Sequence, residues 1–180
     1  MAGSDKHGMD EERGMDLSKL TNRYHVRLLD RTDIETILSL CRKNSLYYQF
    51  CPPAASEQTI IHDMEALPPN KDLSDKYYFG FFEDDSLIAV MDLIAAFPDE
   101  KTAFIGFFMT DTSVQNRGIG SKIIEELCSF LRTTGFSRVR LGWVKGNPQA
   151  QHFWHKCGFA ETGVSYDTGA YTVIVAQRAI

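Results

Sequence analysis

An apolar strand segment, a glycine turn and an amphipathic helix follow one another directly in the second half of the chain. Residues 104–109 are a continuous apolar run, and the turn Gln115-Asn116-Arg117-Gly118-Ile119-Gly120 comes shortly after it. Glycines at the mouth of a helix let the backbone approach a ligand closely. The unpaired N–H groups and the dipole of the helix start favour anions at that point. This order therefore predicts an α/β chain with a socket for phosphates.

Other functions of such a turn have different glycine spacings. A dinucleotide site has Gly-x-Gly-x-x-Gly in an early β-α-β unit, and a nucleotide-triphosphate loop ends in Gly-Lys-Ser/Thr. Here the spacing is Gln-x-x-Gly-x-Gly, late in the chain. An ordinary glycine-rich helix entry without a ligand stays open on the turn alone.

Composition is that of a single soluble domain. The 180 residues are 43% hydrophobic and 24% charged, which is ordinary for a globular protein. The net charge of −5 argues against nucleic acid as a partner, because phosphate binding favours a basic surface. No apolar run is long enough to span a bilayer, so no membrane partner is expected. Residues 1–20 are polar and are expected to be a flexible tail or a cloning remnant, and residues 21–180 form the domain.

The cysteines show no paired spacing that would indicate a metal site or a disulfide framework. They are Cys41, Cys51, Cys128 and Cys157. We expect reduced thiols that pack as small hydrophobic groups, no bound metal and a cytoplasmic protein.

Periodicity predicts the elements around the turn. Strands are expected over residues 24–28, 76–82, 87–97, 102–110, 138–144, 159–163 and 171–175. Helices are expected to start at a capping box formed by Thr32 and Glu35, at Ser56, after the glycine turn and at Asn147. The run 46–50 between the first two helices must break at the two prolines that follow it.

Two segments together resemble the GNAT family of N-acetyltransferases. The turn matches the family's acyl-CoA pyrophosphate loop, Arg/Gln-x-x-Gly-x-Gly/Ala. Residues 147–159, NPQAQHFWHKCGF, resemble the family's late segment, Asn-x-x-Ala-x-x-Phe-Tyr-x-x-x-Gly-Phe. The resemblance covers about residues 22–180 and is specific in the second half. It implies an α/β (α+β) fold with a central mixed, twisted, mostly antiparallel sheet of about seven strands flanked by about four helices.

The resemblance also implies a binding site for acetyl-CoA as the acetyl donor. Strands four and five would splay apart to admit the pantetheine arm, with the phosphates held at the turn. The residues expected to bind acetyl-CoA are Met109, Thr110, Asp111, Gln115, Asn116, Arg117, Gly118, Ile119, Gly120, Ser121, Asn147, Phe153 and Trp154. For Asn147, a role as helix cap is an equally open interpretation, and Arg117 could equally point to solvent.

The sequence departs from the family where catalytic side chains are expected. The tyrosine that commonly protonates the CoA thiolate is replaced by Trp154, and the position of the usual glutamate base is Phe104. Candidate substitutes are Tyr47, Asp92 and His155. Asp92 is either a cation-binding group of the acceptor cleft, together with Tyr47, Tyr48, Tyr77 and Phe97, or an exposed strand residue. Both His152 and His155 are expected to point to solvent.

The resemblance implies an acetyl-CoA-dependent N-acetyltransferase. The acceptor would be a primary amine of a small molecule, a peptide or a protein, attacking the thioester directly. The alternative is a GNAT-fold module that binds acyl-CoA for regulation without turnover. A homodimer through the C-terminal strands is a further expectation from the family alone.

Overall fold

The computed structural model describes residues 14–180, and their strands form one seven-stranded sheet. The strands are β1 (His25–Leu28), β2 (Lys76–Glu83), β3 (Ser86–Ile94), β4 (Thr102–Thr110), β5 (Arg138–Val144), β6 (Ala160–Asp167) and β7 (Thr172–Ala179). Their order across the sheet is β1-β2-β3-β4-β5-β7-β6. β4 and β5 run parallel, and the other neighbouring pairs run antiparallel. The expected mixed, mostly antiparallel sheet is confirmed.

Helices flank both faces of this sheet. They are α1 (Ile34–Lys43), α2 (Ser45–Phe50), α3 (Glu57–Glu65), α4 (Ile119–Thr133) and α5 (Pro148–Lys156). α4 and α5 pack on one face in a core that contains Met91 and Leu127, while α1 and α3 pack on the other with Ile37 and Val90. The short helix α2 is additional to the four expected. Between residues 14 and 180, no helix is long and apolar enough to cross a membrane.

Local capping signals set most helix starts. Ser56 caps α3 by accepting a hydrogen bond from the Thr59 N–H, and Asn147 caps α5 ahead of Pro148, both as expected. The first helix differs, because α1 begins at Ile34 rather than at Thr32. The capping box lies two residues earlier than expected, where Asp30 and Asp33 enclose a 3-10 turn that leads into α1.

β4 and β5 are paired only at their starts. Thr102–Ile105 pair with Arg138–Leu141, and the pairing stops there although both strands continue. On its other side, β4 skips one residue against β3, since Asp92 lies opposite Phe107 and Leu93 opposite Ile105. Gly106 is therefore the extra residue of a β-bulge at the point where the two strands part. The expected splay between strands four and five is present.

The packed domain begins before residue 21. Leu17 and Leu20 are buried in the core beneath α4, and the Met15 N–H donates to the Tyr77 hydroxyl at 3.1 Å. Two apolar side chains three residues apart thus anchor a segment that was expected to belong to the tail. The remainder of the expected tail, residues 1–13, lies outside the described residues.

Candidate active site

A cleft of about 380 Å³ opens between the end of β4, the glycine turn and α5. Of the residues expected to bind acetyl-CoA, ten line it: Met109, Thr110, Gln115, Asn116, Gly118, Gly120, Ser121, Asn147, Phe153 and Trp154. Asp111, Arg117 and Ile119 are not part of its lining. Asn44 and Tyr47, from the α1–α2 connection, close the opposite side. Two segments far apart in sequence, the turn and α5, therefore face one space.

The glycine turn places the start of α4 at this cleft. Gly118 has a φ of 75°, in the left-handed region, and is the N-cap of α4 without a side-chain hydrogen bond to the first turn. No atom lies within 4 Å of the position that a Cβ on Gly118 would take. At Gly120 a Cβ would lie 3.2 Å from the Phe153 ring, so this glycine lets α4 lie against α5. The helix start therefore presents free N–H groups to an anion.

The Gln115 side chain faces the end of β4. Its amide nitrogen donates to the Thr110 carbonyl at 3.1 Å and to the Asn44 side-chain oxygen at 2.7 Å. The Asn44 amide nitrogen in turn donates to the Leu40 and Thr110 carbonyls, each at 3.1 Å. This chain of hydrogen bonds ties the end of α1 to the wall of the cleft. Asn44 carries no sequence motif and was missed by the sequence analysis.

The backbone amides of β4 divide between the two sides of the strand. The Asp111 N–H donates to the Ile88 carbonyl at 2.8 Å and so belongs to the β3–β4 ladder. Because N–H groups alternate along an antiparallel strand, Met109 also faces β3, whereas Phe108 and Thr110 face the gap. Of the residues expected to bind acetyl-CoA at the end of β4, Thr110 therefore presents its N–H to the gap, whereas the N–H groups of Met109 and Asp111 are engaged within the sheet. Phe108, which was not expected, presents a second N–H to the gap.

Asp111 has a structural role at the end of β4. Its carboxylate accepts a hydrogen bond from the Ser113 N–H at 2.9 Å and pairs with Lys43 at 2.7 Å. The residue is buried, and these partners satisfy its charge. Asp111 thus fixes the path of the chain into the glycine turn and joins it to α1.

Aromatic rings form the α5 wall of the cleft. Phe153 stacks on Phe108 with ring centroids 6.0 Å apart, and Trp154 packs edge-on to Phe153 and Phe159. Trp154 is buried, as expected of a core aromatic. An indole N–H is a hydrogen-bond donor and has no acidity near neutral pH. This wall is therefore apolar where the family's tyrosine is expected.

The candidate catalytic side chains lie in different places. His155 is outside the cleft, 3.7 Å from the Glu161 carboxylate and edge-on to the Trp143 ring, which removes it as a candidate. His152 is exposed, as expected, and reaches the cleft rim. Tyr47 lines the cleft with its ring centroid 5.8 Å from that of Phe107. Burial raises the pKa of Tyr47 well above its usual value, so its hydroxyl stays protonated.

Asp92 lies on the α1 and α3 face of the sheet, paired with a buried ammonium group. The Lys76 Nζ donates to Asp92 Oδ1 at 2.7 Å, and the two side chains are 2% and 12% exposed. Burial raises the pKa of the Asp92 carboxyl to about 6, against the lowering effect of the Lys76 hydrogen bond. The interpretation of Asp92 as an exposed strand residue is therefore wrong.

Two of the aromatic residues expected around Asp92 lie elsewhere. Tyr77 lies on the opposite face, where its hydroxyl meets the Met15 N–H, and Phe97 packs edge-on to Phe104. Tyr78, directly opposite Asp92 in the β2–β3 register, shares its face instead. Alternation of side chains along a strand explains the one-residue error. Asp63 of α3 adds a second carboxyl, and burial raises its pKa as well.

A second, larger cavity of about 980 Å³ lies between residues 14–22 and the later part of α4. Glu125, Glu126 and Tyr77 are among its lining residues. It has neither the glycine turn nor the start of α4 or α5, and the carboxylates of Glu125 and Glu126 would oppose an anion there. The smaller cleft is therefore the better candidate for an acyl-CoA site.

Within residues 14–180, no three His, Cys, Asp or Glu side chains are grouped to hold a metal ion.

The comparisons agree with this architecture. The sequence profile of the Acetyltransferase (GNAT) family matches residues 41–159, which include the glycine turn and α5. The chain belongs to the GNAT family of acetyltransferases. No curated protein sequence matches it.

Solved structures of the same fold are distant in sequence. An acetyltransferase from Thermus thermophilus has a TM-score of 0.70 at 16% identity, covering 87% of this chain and 97% of its own. PaiA N-acetyltransferase from Thermoplasma acidophilum, in complex with coenzyme A, has a TM-score of 0.61 at 18% identity, covering 86% and 99%. The ribosomal-protein-S18-alanine N-acetyltransferase of Escherichia coli has a TM-score of 0.61 at 16% identity, covering 87% and 94%. At these identities the likeness shows the fold alone.

Proposed function

We propose that the chain is an acetyl-CoA-dependent N-acetyltransferase that transfers the acetyl group to a primary amine by direct attack. The observation that carries the proposal is the uncapped start of α4, which opens at Gly118 onto the gap between β4 and β5. Free N–H groups and the helix dipole suit a pyrophosphate there. The strand gap beside it suits an extended arm, and a structural neighbour was solved with coenzyme A.

The reaction needs three things from the cleft. The thioester must be held in place, negative charge on its carbonyl oxygen must be stabilised, and the amine must be neutral when it attacks. The N–H groups of Phe108 and Thr110 face the gap and are the candidate donors to the carbonyl oxygen. The apolar wall of Phe153 and Trp154 limits water around the thioester. The thiolate leaves without a side-chain acid on this wall.

Binding and turnover test the proposal separately. Isothermal titration with acetyl-CoA should give a saturable site, and no heat of binding near millimolar ligand would refute it. Thiol release measured with DTNB should then report turnover over a panel of amines, peptides and aminoglycosides. Release above the rate of acetyl-CoA hydrolysis with any of these amines supports the enzyme.

The alternative is an acyl-CoA-binding regulatory module without turnover. Trp154 and Phe104 favour it, because neither side chain at the family's usual acid and base positions can transfer a proton. In that case titration would show acetyl-CoA binding while every amine failed to release thiol. We favour the enzyme, since backbone groups and other side chains can supply the chemistry.

The proposal also includes the partners and the location. The acceptor is a small-molecule or peptide amine, the location is the cytoplasm, and neither nucleic acid nor a membrane takes part.

The proposal further includes a homodimer through the C-terminal strands. The edge strand β6 supports the dimer, because Val164 and Tyr166 are exposed there. Sedimentation equilibrium would measure the oligomeric state, and a monomer at micromolar concentration would refute the dimer.

A further inference from the structure

Asp92 lies at the bulge where β4 parts from β5. It is opposite Phe107 in the β3–β4 register, beside the extra residue Gly106. A Cβ placed on Gly106 would lie 2.6 Å from Asp92 Oδ2 and 3.2 Å from its Cγ. Only a residue without a side chain leaves room for the carboxylate at this point. The Asp92 carboxylate of β3 therefore fills the space that a side chain at position 106 of β4 would need.

Gly106 is exposed although it lies in the centre of the sheet. The exposure follows from the splay, because the pairing of β4 with β5 ends at Ile105. Two residues further along β4, Phe108 lines the cleft, and its N–H faces the same gap. Gly106 therefore lies between the Asp92 carboxylate, which is directly beside it, and the part of β4 that lines the cleft.

The two oxygens of Asp92 have different surroundings. Oδ1 accepts the hydrogen bond from Lys76, whose Nζ also donates to the Ala66 carbonyl at 2.9 Å. Oδ2 faces Gly106 and accepts no hydrogen bond from residues 14–180. Lys76 thus holds the carboxylate in one orientation and leaves one oxygen for another partner.

We infer that Asp92 is the catalytic base, binding the substrate ammonium group over Gly106 and taking its proton through Oδ2. Lys76 is its positioning residue. The inference rests on the proposed function and adds to it the group that the Phe104 position lacks. The charged and titratable groups that face Asp92 are Lys76 and Tyr78 from β2 and Asp63 from α3.

The proton balance of the reaction is complete with this assignment. Asp92 takes one proton from R–NH₃⁺, and the freed lone pair forms the C–N bond to the thioester carbonyl. The C–S bond breaks with its electron pair on sulfur. The second proton lost from nitrogen ends on that sulfur, giving the amide and free thiol. Asp92 returns its proton to solvent as the products leave.

Burial makes this carboxyl a stronger base than an exposed aspartate. Its pKa of about 6 lies near the operating pH, where a general base is most effective. A carboxylate also attracts the ammonium form of the substrate, which is the abundant form of an alkyl amine at neutral pH. The same oxygen therefore recognises the charged amine and removes the charge.

The pH dependence of kcat/KM, measured by thiol release with the best amine of the panel, tests the inference. The wild type should lose activity below about pH 6. Asp92→Asn should lower kcat/KM by about 100-fold or more and remove this acidic limb. Titration with acetyl-CoA and a thermal melt must show that the variant still folds and binds the donor.

Two further variants keep the test decisive if Asp92→Asn does not fold. Lys76→Met removes the positive neighbour and should move the acidic limb to higher pH. Asp63→Asn removes a negative neighbour and should move it to lower pH. A purely structural role for the Lys76–Asp92 pair would lower stability and leave the midpoint in place.

The outcomes separate this inference from the proposed function. An active wild type whose acidic limb survives unchanged in Asp92→Asn, or does not move in either neighbour variant, overturns the inference alone. A wild type that binds acetyl-CoA and releases no thiol with any amine overturns the proposed enzyme and the inference with it. Loss of the limb in Asp92→Asn with acetyl-CoA binding intact supports both.

Discussion

At the scale of single residues, Gly118 leaves the start of α4 open at the proposed phosphate site. Gly118→Glu should weaken acetyl-CoA binding by about tenfold or more, because a carboxylate would stand at the expected phosphate position. The measurement is isothermal titration. The matched control is Gly135→Glu at the other end of α4, where φ is 98° and the space around a Cβ is also open. Both variants place a side chain at a positive φ, so equal loss of binding in the two would contradict the assignment of the phosphate site.

Gln115 acts through its side chain on the wall of the cleft. Gln115→Glu has the same shape but replaces the donor to the Thr110 carbonyl and Asn44 with an acceptor. We expect the free energy of unfolding to fall by about 1–3 kcal/mol, because the half-buried Asn44 oxygen loses its donor and the Thr110 carbonyl loses one of two. Urea denaturation measures this change, and Gln115→Met provides an uncharged control. A fully stable Gln115→Glu variant would show that the hydrogen-bond chain does not hold β4 to α1.

Residues of the site could be predicted from the sequence where a local rule applies. They were missed where their role depends on a partner that is distant in the chain. The turn at Gly118 is visible because spacing and positive φ are local properties. Asn44 was missed because it bonds Thr110 and Gln115, which lie 66 and 71 residues away. The strand register at Phe108 was missed for the same reason, since the direction of an N–H depends on the neighbouring strand.

At the scale of elements, Asn147 is both the N-cap of α5 and a residue of the cleft wall. Its side-chain oxygen accepts a hydrogen bond from the Ala150 N–H at 3.1 Å, and its side chain also lines the cleft. Asn147→Ala should lower the free energy of unfolding by about 1 kcal/mol through loss of the cap. Asn147→Asp keeps the accepting oxygen and should restore stability.

The two roles of Asn147 separate in the acetyl-CoA titration. Asn147→Asp loses the amide donor, so acetyl-CoA binding should stay weakened although the helix is capped. Thermal melts and titrations of the same preparations give both numbers. Recovery of stability and affinity together would show that Asn147 is a cap alone.

Element boundaries followed local patterns closely for β4 and β5 and less closely for the last two strands and α2. β4 at Thr102–Thr110 and β5 at Arg138–Val144 have the predicted bounds, because turn residues enclose the apolar run of β4 and the alternating pattern of β5. β6 extends to Asp167, beyond the predicted end at residue 163, because pairing with β7 sustains an exposed strand. α2 was missed because its start at Ser45 has no side-chain cap and its length is six residues.

At the scale of the whole molecule, the proposed donor and acceptor sides lie on opposite faces of the sheet. The glycine turn and α5 lie on one face and Asp92, Lys76 and Asp63 on the other. Between these two faces, the pairing of β4 with β5 ends at Ile105 and Leu141. The family resemblance predicted this gap, and residue patterns predicted the phosphate side. The proposed acceptor side depends on the pairing of Lys76 with Asp92, 16 residues apart, which only the register of β2 and β3 reveals.

Two carboxyl groups, Asp33 and Asp92, should change the free energy of unfolding in opposite directions as the pH falls. The hydrogen bond from Arg27 lowers the pKa of Asp33, so its stabilising effect is lost only below its usual value of 3.8. For Asp92, burial raises the pKa to about 6 from a usual value of 3.8. As pH falls through about 6, the folded state takes up this proton before the unfolded state does. Protonation of Asp92 therefore stabilises the folded protein, fully so below 3.8.

Urea denaturation of the wild type and Asp92→Asn at pH 7, 5 and 4 measures the Asp92 contribution. Subtracting the two unfolding free energies cancels Asp33 and the other carboxyls that both proteins keep. The difference should shift in favour of the wild type as pH falls, by at most about 3 kcal/mol. A difference that stays constant from pH 7 to pH 4 would show that the Asp92 carboxyl titrates alike in the folded and unfolded states. The catalytic base inferred here would then lack its elevated pKa, because the same burial is the cause of both effects.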